Sequence, residues 1–329
     1  MSKSRRLSML SLLPLLLMSG YTVTQSGVTS VTQSGVTSLT KNPLQIAILH
    51  WYDANLTTQF AVGTAPTGAA FDGASVWVVN QNSNNVTKLN ASDGTLLGSF
   101  AVGNTPQTDV FDGANVWVTN FSDNTVTKLR ASDGTTLGTF AVGTEPVGAA
   151  FDGASIWVAN EASNNVTKLR ASDGSVLGTF VVGTSPVAVT FDGADVWAEN
   201  SGSNNVTKLR VTDGKVLGTF AVGTSPVCGA FDGANIWVAN TFSNNVTKLR
   251  ASDGAVLGTF AVGTNPIGIV FDGANIFTAN SGSSNVTKLR SSDGKVLGTF
   301  SVASRPVAAV FDGANIWVTN SNSNTVSKL

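Results

Sequence analysis

The chain has 329 residues, of which 12% are charged, and its formal net charge is −1. This balance excludes the basic surface that binds nucleic acid and the polybasic patch that binds anionic membranes. The single cysteine, Cys228, excludes an internal disulfide. Its position matches small residues elsewhere in the chain, which predicts a buried filler rather than a reactive thiol.

Residues 1–20 are typical of an export signal. A basic start (Lys3, Arg5 and Arg6) precedes an apolar run over residues 7–18. That run is too short for a membrane span, which takes about 20 residues. The residues near the expected cleavage position are large, so an uncleaved N-terminal anchor is the alternative. We therefore expect an extracytoplasmic protein (secreted, periplasmic or at the cell surface) that meets a membrane only through this segment.

Residues 21–43 are polar, and the octet V-T-Q-S-G-V-T-S occurs twice within residues 23–38. Such low-complexity polar sequence predicts a flexible stalk. The remainder, residues 44–329, forms the predicted folded domain.

After residue 59 the sequence repeats every forty residues without insertion or deletion. The clearest marker is a phenylalanine at Phe60, Phe100, Phe140, Phe180, Phe220, Phe260 and Phe300. A fixed period of this length indicates a repeat architecture.

Each forty-residue unit predicts four short strands. In the second unit these cover residues 106–111, 116–119, 125–131 and 137–142. The Asp-Gly pairs at Asp112 and Asp133 predict two-residue hairpins of type I′. Apolar character on both faces of several strands requires that the small sheets be stacked face to face. The pattern therefore predicts an all-β protein, a β-propeller of four-stranded antiparallel blades.

The number of hairpins predicts seven blades. The Phe-Asp-Gly hairpin occurs seven times, from Phe71 to Phe311, whereas the last unit stops within its third strand. Residues 56–62 supply a fourth strand, so we expect an N-terminal strand to complete the C-terminal blade and close the ring. Residues 46–49 are in register with residues 86–89, and their role is left open.

For two repeated positions the sequence predicts where the side chains lie. Large aromatic residues in the second strand are expected to wedge between blades. They are Trp77, Trp117, Trp157, Trp197, Trp237, Phe277 and Trp317. The V-T-K-L-R rows are expected to place lysine and arginine on the solvated outer rim.

The units resemble a known family. Residues 117–120 and 317–320 both read W-V-T-N and are followed by N-T-V, which is similar to the YVTN-type bacterial and archaeal propeller repeat with Trp in place of Tyr. The resemblance covers residues 60–329. It implies a seven-bladed propeller that is exported or surface-exposed and that binds or acts as a scaffold.

Two more distant resemblances imply activities whose residues are missing. The chain is similar to virginiamycin-B-lyase propellers, but their catalytic histidine has no counterpart, because His50, the one histidine, precedes the repeats. Residues 291–300 resemble a quinoprotein repeat without its docking tryptophan, since Gly298 lies near that place. A histidine-based zinc site or catalytic triad within the repeats is likewise excluded. No cofactor and no metal site is predicted.

The units differ mainly in the loops at one end of the blades. Asp109, Asp123, Glu145, Glu161 and Glu199 occur in units two to four, and Arg305 lies across the ring in unit seven. Binding sites favour such loops at a concave mouth. Drift on exposed loops is the alternative. The candidate ligand-binding residues are Asp109, Phe121, Glu145, Glu161, Glu199, Phe242 and Arg305.

Three functions fit these observations. The first is a monomeric, non-enzymatic scaffold that binds a protein, a glycan or an envelope component through the variable loops. The second is a calcium-dependent hydrolase or lactonase, which requires Asp109, Glu161 and Glu199 to converge in the channel. The third is a structural spacer at the cell surface.

Overall fold

The computed structural model describes residues 58–329, which form seven four-stranded antiparallel sheets. Inner strands of neighbouring sheets contact one another around the whole ring. The predicted seven-bladed β-propeller is therefore confirmed. Within residues 58–329 no helix is long and apolar enough to cross a membrane. The expected export signal (residues 1–20), the expected stalk (21–43) and residues 46–49 lie outside the described part.

Every forty-residue unit contributes four strands, with a short 3₁₀ turn at Gln81–Ser83 in the first. Alternating and β-branched residues with tight polar turns produce this pattern, as the sequence predicts. The strands are β1 (Thr58–Ala61), β2 (Pro66–Phe71), β3 (Ser75–Asn80), β4 (Asn85–Asn90), β5 (Leu96–Ala101), β6 (Pro106–Phe111), β7 (Asn115–Asn120), β8 (Thr125–Arg130), β9 (Thr136–Ala141), β10 (Pro146–Phe151), β11 (Ser155–Asn160), β12 (Asn165–Arg170), β13 (Val176–Val181), β14 (Pro186–Phe191), β15 (Asp195–Asn200), β16 (Asn205–Arg210), β17 (Val216–Ala221), β18 (Pro226–Phe231), β19 (Asn235–Asn240), β20 (Asn245–Arg250), β21 (Val256–Ala261), β22 (Pro266–Phe271), β23 (Asn275–Asn280), β24 (Asn285–Arg290), β25 (Val296–Ser301), β26 (Pro306–Phe311), β27 (Ile316–Asn320) and β28 (Thr325–Lys328).

The ring closes through the predicted splice. The seventh blade has the order β1-β28-β27-β26, and Phe60 of β1 pairs with Val326 of β28. The Asn324 side chain then accepts a hydrogen bond from the backbone of Ala65 at 2.9 Å, which joins the seventh blade to the first. The splice therefore gives the seventh blade a fourth strand like the other six, so that β28 is not left as an unpaired edge.

The Asp-Gly hairpins are not the predicted type I′ turns. Type I′ needs a positive φ at both central residues. Here Gly73 has a φ of +96°, whereas Asp72 keeps an ordinary negative φ. Its carboxylate instead accepts the backbone N–H groups of Ala74 and Ser75 at 2.9 and 2.6 Å. The aspartate side chain therefore stabilises the turn, as in an Asx-turn.

The repeated tryptophan is the predicted wedge between blades. Trp77 is fully buried and packs on Val116 and Val118 of the next blade. Its ring centroid lies 5.4 Å from that of Phe100. The indole N–H donates to the carboxylate of Asp72 at 2.8 Å, so the hairpin aspartate also orients the tryptophan.

The repeated lysine does not lie on a solvated rim, and that prediction is wrong. Lys88 is the cross-strand partner of Trp77, so both side chains share one sheet face. The Lys88 ammonium lies 4.8 Å from the indole centroid and 3.6 Å from the Asp72 carboxylate. It donates to the carbonyl of Ala131 in the next blade at 2.6 Å. Only the arginine of the row is exposed.

The same lysine links recur around the ring. Each joins one blade to the loop before the outer strand of the next, and the last crosses the splice. The pairs of lysine and carbonyl residue are Lys88 with Ala131, Lys128 with Ala171, Lys168 with Val211, Lys208 with Ala251, Lys248 with Ser291, and Lys328 with Ala91. A buried ammonium that has both a cation–π contact and a hydrogen bond is compensated for its lost hydration.

Replacement of one such lysine is expected to destabilise the whole ring. Lys168→Met retains the apolar stem but leaves the Val211 carbonyl and the Asp152 carboxylate without their cation. An unsatisfied buried partner costs about 1–3 kcal/mol. The midpoint of urea unfolding should fall accordingly. Arg170→Met on the same strand removes only an exposed ion pair with Asp173 and should change the midpoint little. Equal effects of the two substitutions would contradict this role.

Candidate functional site

The central channel opens in a cavity of about 400 Å³ at the end that carries the V-G-T-x-P loops. Its wall consists mainly of the inner-strand residues that follow each loop proline. In blades three to seven these are Val147, Val187, Val227, Ile267 and Val307. In blades one and two they are Thr67 and Gln107, with Thr108 beside them. The mouth therefore has a polar sector next to an apolar one.

The two variable positions of each unit are neighbours at this mouth. The residue before the loop proline has a φ between +50° and +57°, although in no unit is it glycine. In six blades its N–H donates to an asparagine side chain of the preceding blade, as Glu145 does to Asn124 at 2.8 Å. Its carbonyl accepts the N–H of the second variable residue, as from Glu161 at 2.9 Å. These bonds fix the backbone and leave the side chains free to vary.

Each blade therefore presents one pair of variable side chains on a fixed backbone. In order around the ring the pairs are Ala65/Gln81, Thr105/Phe121, Glu145/Glu161, Ser185/Ser201, Ser225/Thr241, Asn265/Ser281 and Arg305/Ser321. The structure thus brings together two sets of positions that are sixteen residues apart in the sequence.

The positive and the negative side chains at the mouth lie in different places. Arg305 lines the cavity together with Gln81 and Ser321. Glu145 and Glu161 form a pair on the rim of the third blade and do not line the cavity. Partial burial, and then repulsion from Glu145, raise the pKa of Glu161. The structure therefore places one cation in the mouth and two neighbouring carboxylates outside it.

The remaining loop candidates divide into two groups. Phe242 is 70% exposed on a loop at the mouth end, and Phe121 is half-buried in the second variable pair. Asp123 accepts the backbone N–H and the side-chain amide of Asn104 at 2.7 and 2.9 Å, and these bonds lower its pKa. In another unit the Ser163 hydroxyl makes the corresponding backbone contact. Asp123 therefore stabilises its loop, whereas Phe242 offers exposed apolar surface.

Asp109 and Glu199 are buried between blades. Neither carboxylate oxygen of Asp109 has a hydrogen-bond partner among the described residues, and its neighbour across the blade interface is Gly68. Glu199 lies against Gly229 of the next blade and accepts a bond from the Thr190 hydroxyl at 2.8 Å. Burial raises the pKa of Asp109 well above its ordinary range and that of Glu199 to about 7.

The carboxylates required by the hydrolase hypothesis do not converge. Asp109 lies between blades one and two, Glu199 lies between blades four and five, and Glu161 is on the rim of blade three. Residues 58–329 contain no group of three or more histidine, cysteine, aspartate or glutamate side chains that could hold a metal ion. The calcium-dependent hydrolase hypothesis therefore lacks the converging carboxylate ligands that it requires.

Cys228 is half-buried and lines the mouth, so it is not the fully buried filler that the sequence predicts. Burial, with a contribution from the charge of Glu199, raises the pKa of its thiol to about 11. A raised pKa keeps the thiol protonated at neutral pH, which favours the filler over the reactive thiol.

Sequence reasoning missed the polar residues of the wall, Gln81, Gln107 and Thr108. A usable signal was present, because the residue after the loop proline is valine or isoleucine in units three to seven but not in units one and two.

Solved propellers are similar to the chain in structure. No protein-family model and no curated protein sequence matches it. A streptogramin B lyase structure has a TM-score of 0.73 at 18% identity and covers 83% of this chain and 96% of its own. Hydrazine synthase from Kuenenia stuttgartiensis has a TM-score of 0.72 at 19% identity, covering 82% and 97%. Virginiamycin B lyase from Staphylococcus aureus has a TM-score of 0.71 at 17% identity, covering 83% and 98%.

These similarities place the chain in the propeller class. At such low identity they show the fold alone, and the activities belong to the proteins named. The closer resemblance to YVTN-type repeats is supported only at the level of the propeller.

The raised pKa of Glu199 predicts how stability depends on pH. The folded state holds a proton that the unfolded state loses near pH 4.5, so stability falls as the pH rises from about 4.5 to above 7. A shift from 4.5 to about 7 corresponds to roughly 3 kcal/mol. Glu199→Ala, which installs the residue found at Ala159 and Ala239, should therefore stabilise the protein at pH 8 much more than at pH 5.

Urea unfolding at pH 5 and pH 8 measures this effect. Asp123→Ser is the control, because the pKa of Asp123 is lowered and its titration lies below this window. The buried Asp109 should leave some pH dependence in both variants, with the same sign. An unchanged difference between the two pH values in Glu199→Ala would show that Glu199 is ionised in the folded protein.

Proposed function

We propose that this protein is an exported, non-enzymatic binding propeller that receives a protein or glycan partner of the cell envelope at the channel mouth. One observation carries the proposal: seven pairs of variable side chains surround a cavity of about 400 Å³ on a backbone that is fixed by hydrogen bonds. Rigid scaffolds with variable loops are a common basis of recognition.

The contrast between the two ends of the blades supports this proposal. At the opposite end every unit has the hairpin aspartate and glycine, and the aspartate has a structural role in the turn. Variation in charge and size is concentrated at the mouth, where the turn is held by backbone hydrogen bonds that every residue type can make. A site that differs from blade to blade can bind an asymmetric ligand despite the repeated backbone.

The chemistry of the mouth favours a partner with an anionic group. Arg305 is exposed, is the charged residue of the cavity wall, and has Gln81 and Ser321 as polar neighbours. The valine and isoleucine sector can hold an apolar portion of the ligand. An acidic peptide segment or a uronic-acid glycan has the charge that this arginine would bind.

Export and location depend on the sequence outside the described residues. The basic start, the short apolar run and the polar duplication before residue 44 are the support for an extracytoplasmic protein.

Enzymatic activity stays open, since two of the similar structures are lyases. The described residues of this chain offer no convergent carboxylates for the hydrolase alternative. The spacer alternative differs from the proposal in one respect, because it requires no ligand at the mouth.

Thermal unfolding with defined probes tests the proposal. The probes are an oligogalacturonate, a neutral oligosaccharide of equal length, a glutamate-rich peptide and the same peptide with glutamine. We expect one of the anionic probes, and neither neutral one, to raise the Tm. A probe at a hundred times its Kd stabilises by about 2.7 kcal/mol. Arg305→Ala should abolish the shift.

Arg290→Ala is the matched control, because Arg290 is exposed on the third strand and pairs with Asp293 away from the mouth. It should retain the shift. If no probe raises the Tm, or if Arg305→Ala responds as the wild type does, anion recognition at the mouth is refuted and the spacer alternative gains support.

A further inference from the structure

The central channel contains a second cavity, of about 470 Å³, towards the Asp-Gly end of the blades. We call it the lower cavity and the cavity at the mouth the upper cavity. The phenylalanines that end the inner strands of blades two to six line the lower cavity. They are Phe111, Phe151, Phe191, Phe231 and Phe271.

The two cavities follow one another along the channel. Strand β22 runs past both, because Ile267 lines the upper cavity, Ile269 lines both and Phe271 lines the lower one. Four residues of a strand span about 13 Å. On three other inner strands, consecutive residues line the upper and the lower cavity. These pairs are Gly148 and Ala149, Ala188 and Val189, and Cys228 and Gly229.

The lower cavity is apolar. Among the described residues that line it, Thr190 has the one polar side chain, and its hydroxyl already donates to the Glu199 carboxylate at 2.8 Å. The other lining residues are Phe, Val, Ile, Ala and Gly. A polar group that entered this cavity would lose its hydration without a side-chain partner in return. The cavity therefore suits hydrocarbon.

The charge of the channel is at its other end. Within residues 58–329, Arg305 is the one charged side chain that lines either cavity. It precedes Pro306 in the loop at the mouth, and Val307, two residues further along the same chain, belongs to the apolar sector of the upper cavity. From the mouth inwards the channel thus offers a cation, then an aliphatic wall, then the ring of phenylalanines.

We propose that the channel binds a fatty acid, with the carboxylate at Arg305 and the alkyl chain passing Ile269 into the lower cavity. An arginine binds a carboxylate through charge-assisted hydrogen bonds, and an apolar cavity binds hydrocarbon by removing it from water. The order of these two environments along the channel sets the orientation, because the chain enters first and the carboxylate stays at the mouth.

This inference rests on the proposed function, since it uses the same mouth and the same arginine. It adds the lower cavity, which an acidic peptide or a uronic-acid glycan does not need. A peptide backbone carries an N–H and a C=O group in nearly every residue, and both need partners when they are buried. An alkyl chain has no such groups, so it can occupy the lower cavity without that cost.

Calorimetric titration of the full chain at neutral pH tests the proposal. The probes are hexanoate, octanoate, decanoate and dodecanoate, each below its critical micelle concentration. We expect one molecule to bind per protein, with an affinity that rises about fourfold for each methylene that is buried. Dodecanol, which has the chain without the charge, should bind more weakly than dodecanoate. Arg305→Ala should bind dodecanoate no more tightly than the wild type binds dodecanol.

A substitution in the lower cavity tests the position of the chain. Ala149→Phe places a ring in this cavity and should reduce the affinity for dodecanoate almost to that for octanoate, while octanoate binding stays unchanged. Ala149→Ile is the milder variant, because the equivalent residue of blade six is Ile269. Ala154→Phe is the matched control, since Ala154 is exposed in the hairpin at the same end and lines neither cavity.

Several results would overturn the proposal. They are an affinity that does not increase with chain length, binding of many molecules per protein, equal affinities for dodecanol and dodecanoate, or dodecanoate binding that neither substitution of Ala149 weakens. The peptide and glycan probes judge the proposed function separately. If one of those anionic probes raises the Tm and the fatty acids do not bind, the proposed function stands and this inference fails.

Discussion

A lysine ammonium, held between a tryptophan face and a backbone carbonyl of the next blade, connects the repeats of this protein. In the first blade Lys88, Trp77 and Asp72 form one cluster: the aspartate accepts the indole N–H and pairs with the ammonium, while its other oxygen caps the hairpin. Three positions that repeat from unit to unit therefore form one cluster of interactions. The lysine is tolerated in the interior because each of its interactions replaces part of its lost hydration. The link from Lys328 to Ala91 extends the same interaction across the splice.

The residues that stabilise the ring and the residues that vary between units lie in different parts of the blades. The clusters lie towards the Asp-Gly end and between blades, where the residues repeat almost without change. At the mouth, backbone hydrogen bonds hold the loops, so Arg305, Glu145 and Glu161 could replace small residues without loss of the turn. The two buried carboxylates, Asp109 and Glu199, are exceptions to this rule, because they introduce polar groups between blades where other units have small or apolar residues. Their cost is electrostatic and depends on pH.

The sequence predicted the number of strands, their boundaries, the seven blades and the splice, because period and hairpin spacing determine all four. It did not predict the position of the lysine. Strand alternation shows that Lys88 shares a face with Val86, but only the packing of adjacent blades decides which face is buried. The sequence also did not predict which residues line the channel, for a related reason. Gln107 and Thr108 both line it, so strict alternation fails beside the irregularity between Pro106 and Asp109. The predicted type I′ turn is wrong because the aspartate side chain, rather than the backbone alone, closes the hairpin.

The central claim is that the lysine links and the splice make seven similar units one closed, cooperative structure. Native-state hydrogen exchange measures this directly, because it reports the opening free energy of each strand. The account predicts that the second strands of all seven blades, β27 of the spliced blade included, exchange with one common free energy equal to that of global unfolding. An open array of repeats would instead show protection that declines from the central blades towards the first and the seventh. That gradient would contradict the closed ring.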